Sequence, residues 1–105
     1  MVYHYNKLVR DKIVENIKSK GHKCDYRILD NDEYKKELDK KLLEETKEVI
    51  ESHSAEEIGD LIEVILAVMK GNNILQEDIE KLMKQKREKN GAFENRLYLI
   101  SVEEN

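Results

Sequence analysis

Over most of the chain the apolar residues recur at helical spacing, and short polar breaks divide them into segments. The breaks fall at Gly21, Ser52-His53-Ser54, Gly71-Asn72-Asn73 and Asn90-Gly91. Leu8, Ile13 and Ile17, with polar residues between them, predict a first helix over residues 8–20, stopped by Gly21 in a left-handed turn. Tyr26, Ile28 and Leu29 alternate roughly and suggest a short strand over 23–29. Asp30-Asn31-Asp32 offers N-cap residues for a second helix over 33–51, whose stripe is Leu38, Leu42 and Val49 with Leu43 and Ile50 beside it.

Ser54-Ala55-Glu56-Glu57 has the form of a capping box and opens a third helix over 55–70. Its main face is Ile58, Leu61, Ile62, Ile65 and Met69, while Val64, Ala67 and Val68 carry apolar character further around. A helix apolar on most sides is buried on most sides, so this one is expected at the centre, touching a partner subunit as well. A fourth helix over 75–90 uses Leu75, Ile79, Leu82 and Met83. After Gly91, Arg96-Leu97-Tyr98-Leu99-Ile100-Ser101-Val102 alternates as a strand would and is expected to pair with residues 24–28. The expected architecture is a single all-α domain over 1–105, a four-helix bundle with a small C-terminal β element, assembled as an oligomer.

Composition supports helices and association. Charged residues make up 40% of the 105, proline is absent and glycine numbers only 4, which suits Glu/Lys/Leu helices. High charge also accompanies disorder, but here the apolar positions are periodic. A chain this short has a thin core when alone, and a second copy would thicken it. The net charge of -4 leaves no general nucleic-acid footprint. The lone Cys24 forms no framework of disulfides. Leu61–Met69 is too short for a membrane span and contains Glu63. With no apolar signal region after Met1, a cytoplasmic protein that contacts neither nucleic acid nor membrane is expected.

Charge is unevenly spread: acidic residues crowd 44–63 and basic ones 81–96. Within the acidic stretch, Glu45 and Glu48 are three apart on the second helix, and Glu57 and Asp60 three apart on the third. Residues at i and i+3 share a helix face. The turn between the helices is short, so they should run antiparallel and the two pairs can converge. At about 100° per residue, Glu45 falls beside Leu38, Leu42 and Val49, and Glu57 and Asp60 border Leu61, Val64 and Val68. Carboxylates at the rim of a core are costly to ionise and repel one another, and a divalent cation relieves both problems. Oxygen-only ligands favour magnesium, manganese or calcium over zinc. An ordinary explanation also exists for each group. Glu45 and Glu48 fit a solvated Glu/Lys face, Glu57 the closing of a capping box with Ser54, and Asp60 the helix dipole.

The motif Glu44-Glu45-Thr46-Lys47-Glu48 followed by Glu57-Ile58-Gly59-Asp60 resembles the EExxE…ExxD signature of the MazG-like all-α nucleoside triphosphate pyrophosphohydrolases. The flanks strengthen the likeness. Tyr5-Asn6-Lys7-Leu8-Val9-Arg10-Asp11-Lys12-Ile13 is similar to the NKLVRDKI opening of one branch, and Lys86–Arg96 to its closing KxxKRGGFxxR segment. The three blocks occur in order and span roughly residues 5–102. Val14 stands where the branch often has proline, and Asn90 and Ala92 replace a common Arg and Gly.

The resemblance implies a MazG-like bundle that cleaves a nucleoside triphosphate to the monophosphate and pyrophosphate. It also implies Glu45, Glu48, Glu57 and Asp60 as ligands of Mg2+ or Mn2+, with Glu44 a helper or solvated residue. Such an ion would bridge phosphate oxygens, polarise phosphorus and lower the pKa of a water. Glu45 or Glu48 would then accept the proton. Lys7, Arg10, Lys12, Lys86, Lys89 and Arg96 are the candidate phosphate holders.

Among the other residues, Asp11 is expected to pair with Arg10 or a neighbour, and Phe93 to plug the core or stack on a base. His4, His22 and His53 lack metal spacing, and Glu63 suits a subunit contact. A homodimer or homotetramer is expected. The rival readings are a phosphoribosyl-ATP pyrophosphohydrolase-like activity and a non-catalytic helical dimer that binds nucleotide or protein.

Overall fold

The computed structural model describes the whole chain, residues 1–105, as four helices and no strand. They are α1 (Ile13–Ser19), α2 (Asn31–Ser52), α3 (Ala55–Gly71) and α4 (Gln76–Asn90). The chain divides into two compact units, Met1–Asn73 and Ile74–Asn105.

In the first unit α2 packs against α3. The reversal between them is built from two capping residues. His53 takes the left-handed conformation, with φ 51, and donates its backbone N–H to the Val49 carbonyl at 2.7 Å, ending α2. Ser54 is extended, and its hydroxyl accepts the Glu57 N–H at 3.2 Å, opening α3. At the other end of α2, Asp30 is the N-cap and accepts the Glu33 N–H at 2.9 Å. The buried apolar residues are Leu38 and Met69, one from each helix and nearly equidistant from the turn, as an antiparallel hairpin requires.

Only part of the apolar face expected for α3 is covered, with Met69 buried at its end. Leu61, Val64 and Val68 are half-buried, whereas Ile58, Ile62 and Ile65 of the expected main face lie open. On α2, Leu42 and Val49 are half-buried, and Leu43 and Ile50 are exposed. A hairpin buries one flank of each helix, so a helix apolar on several sides keeps its other flanks bare.

Helix α1 is shorter than its spacing suggested: residues 8–12 stay outside it, with Leu8 half-buried and Arg10 paired with Asp60 on α3, while Lys7 just before them faces Glu44 on α2. Gly21, with φ 81, follows α1 as a left-handed residue, in keeping with the stop assigned to it. The two expected strands are absent, since residues 23–29 and 96–102 carry no ladder. An isolated two-stranded ribbon is marginal in water, and these segments belong to different units.

The second unit holds α4 and the segment after it. Ile79 is half-buried, Leu82 and Met83 lie more than half open, and residues 91–105 are exposed throughout. Phe93, expected to plug a core, is 97% exposed. No helix is long and apolar enough to cross a membrane.

Candidate metal centre

Glu45 on α2 and Glu57 and Asp60 on α3 bring one carboxylate oxygen each to within 4.8 Å of the others. The hairpin explains why. Glu45 lies eight residues before His53, and Glu57 and Asp60 lie three and six residues after Ser54, so a tight reversal sets them side by side. All three are half-buried, as are Leu42 and Val49 on α2 and Leu61 and Val64 on α3.

Electrostatics marks the same place. Burial is the first cause that holds the Glu45 carboxyl above its usual range; Lys41 opposes it, and the charges of Asp60, Glu44 and Glu48 add to it. Glu57 is also held up, first by burial and then by Glu48, Asp60 and Glu45. Three crowded carboxylates, of which Glu45 and Glu57 resist ionisation, are a donor set suited to a hard divalent cation, with oxygen ligands only.

The capping box expected to engage Glu57 is only half formed. Ser54 accepts the Glu57 N–H, but the Ser54 N–H turns to the Ser52 hydroxyl at 3.3 Å. The Glu57 carboxylate is therefore not consumed by capping. Asp60 is not merely a dipole residue either, because it accepts Arg10 Nη2 at 2.7 Å across fifty residues of sequence.

Other expected site residues are placed as follows. Glu48 is exposed and lies outside the close trio, though near enough for its charge to raise both Glu45 and Glu57. Glu44 also stays outside and faces Lys7 at 3.8 Å and Lys41 at 3.7 Å. Arg10 and Lys7 from the N-terminal block reach the acidic helices, and Lys12 sits at the N-cap position of α1. Arg10 pairs with Asp60 in place of the expected Asp11. Lys86, Lys89 and Arg96 belong to the second unit, where Asn90–Leu97 line a shallow hollow that includes Phe93 and Arg96.

Lys41 was not foreseen. It is 18% exposed and stands 3.9 Å from Glu45 and 3.7 Å from Glu44. Its spacing of four from Glu45 on a helix was the available signal. Compared with protein-family models, with curated proteins and with solved structures, the chain matches none.

Proposed function

We propose that the first unit carries a divalent-cation centre formed by Glu45, Glu57 and Asp60, and that it hydrolyses a nucleoside triphosphate to the monophosphate and pyrophosphate. The observation that carries this reading is the convergence of three half-buried carboxylates within 4.8 Å on two antiparallel helices. The MazG-like resemblance supplies the reaction class; of the four ligands it implies, Glu45, Glu57 and Asp60 converge and Glu48 stays outside. Magnesium is the expected ion and manganese its substitute.

When bound, the ion supplies charge neutralisation between acidic site and polyphosphate, and Lewis-acid activation of the scissile phosphoryl group. The chain does the rest. Glu45, Glu57 and Asp60 give their oxygens to the ion. Glu48, outside the trio and solvated, keeps a free carboxylate that accepts the proton of the attacking water. Arg10 and Lys7 stand on the rim of the same cluster as cationic donors for phosphate oxygens.

The assembly belongs to the same proposal. Leu43, Ile50, Ile58, Ile62 and Ile65 leave apolar stripes open on both helices of the hairpin, beyond what isolated surface hydrophobics explain. A second copy covering those stripes would complete a helical bundle as a homodimer or homotetramer.

The test is direct. Purified protein with Mg2+ is incubated with a panel of canonical and modified triphosphates and with phosphoribosyl-ATP, and pyrophosphate is assayed. Cleavage that disappears with EDTA supports the reading. No cleavage of any substrate, or equal cleavage by Glu48→Gln, sinks it.

A further inference from the structure

The N-terminal segment crosses the acidic hairpin as a strap with one anchor on each helix. Lys7 Nζ stands 3.8 Å from Glu44 Oε1 on α2, and Arg10 Nη2 stands 2.7 Å from Asp60 Oδ1 on α3. Leu8, between the two anchors, is half-buried, which holds the backbone down between them. The strap has no helical or ladder hydrogen bonds of its own over residues 6–9. Its attachment therefore rests on Leu8 and on two ion pairs that are open to solvent, and such pairs are weak and replaceable.

Arg10 takes an oxygen of one of the three carboxylates that would hold the ion. A guanidinium and a divalent cation cannot share Asp60 at full strength, since each neutralises the same charge. We infer that Arg10 is the resident counter-cation of the cluster, and that a divalent ion displaces it from Asp60, releasing the strap as a cationic arm for a polyphosphate. This rests on the proposed cation centre. A freed guanidinium matches phosphate oxygens bidentately, so ion uptake and anion uptake are linked in one direction: the ion unmasks the anion's donor.

The test reads metal binding and strap mobility, not turnover. Mn2+ affinity is measured by electron spin resonance for the wild type, Arg10→Gln and Arg27→Gln. Arg27 is the control with the same change of charge. It pairs with Glu33, twelve residues and about 18 Å along α2 from Glu45, beyond the screening length of physiological salt. Arg10→Gln should bind Mn2+ about two- to fivefold more tightly than Arg27→Gln, the range expected for removing one surface ion-pair competitor. Backbone order parameters of residues 7–12, from nuclear magnetic relaxation, should fall when Mg2+ is added to the wild type, and should already be low and insensitive to Mg2+ in Asp60→Asn.

Equal Mn2+ affinities for the two Arg variants overturn the inference, as do order parameters of the strap that stay unchanged or rise with Mg2+. If those results come with clear Mn2+ binding to the wild type, only the displacement fails and the cation centre stands. If no form binds Mn2+, the cation centre fails and the displacement with it.

Discussion

Single residues decide what the acidic cluster is able to do. Glu45 and Glu57 are held above the usual carboxylate range, by burial first and neighbouring charge second. A carboxyl raised in the folded state opposes folding once ionised. The penalty is absent below the ordinary value of about 4.3 and grows as pH rises through the raised pKa. Glu57→Gln should therefore melt higher than wild type at neutral pH in EDTA, and the difference should vanish as pH falls below that ordinary value. Mg2+ should raise the melting temperature of the wild type and leave Glu57→Gln nearly unmoved. Glu48 gives the contrasting expectation. Glu48→Gln should bind Mn2+ about as well as wild type while losing on the order of a hundredfold or more in turnover, the usual size of a general base's contribution. Equal loss of both properties would make Glu48 a ligand instead. His53 is the other residue with a sharp expectation. It holds a left-handed conformation that disfavours a side chain, so His53→Gly should stabilise the fold by about 0.5–1 kcal/mol in urea titration.

At the level of elements, the hairpin depends on its caps and on a small contact. Ser54 satisfies the first free N–H groups of α3, and Ser54→Ala should cost about 1 kcal/mol in the same titration. The start of α2 is tied down by Arg27, which pairs with Glu33 and donates to Glu33 Oε1 at 3.0 Å. Hydrogen bonding from Arg27 is the first cause that lowers the Glu33 pKa. That contribution is present above the ordinary carboxylate value and is lost as pH falls through the lowered one, opposite in sign to Glu57. The helices themselves were legible because α2, α3 and α4 are long, periodic and bounded by breaks such as Gly71-Asn72-Asn73 and Asn90-Gly91. The strands were not. Alternation in residues 96–102 is a local pattern, but a ladder needs a partner strand, and these residues form no ladder. The N-terminal half of α1 also misled, because Leu8 has helical spacing from later apolar residues yet serves in the strap.

For the whole molecule, the scarcity of core is the governing fact. Only Leu38 and Met69 are buried among the apolar residues, while Ile58, Ile62 and Ile65 form an open stripe on α3. If a second copy covers that stripe, the melting temperature should rise with protein concentration, and light scattering should give at least a dimer. Ile62→Glu should shift the protein toward monomer. A stable monomer with a concentration-independent transition would remove the assembly from the proposal.

Local pattern along the chain specifies α2, α3 and α4, the turn at His53-Ser54 and the spacing that puts paired carboxylates on facing helices. These follow from local periodicity and capping, which act over a few residues. Which of those carboxylates meet is a matter of tertiary packing. It drew Glu45, Glu57 and Asp60 together, left Glu48 in solvent and set Arg10 on Asp60. Such pairings depend on how two helices rotate about their axes when one flank of each is buried, and on a strap that arrives from fifty residues away. Spacing along one chain carries neither quantity.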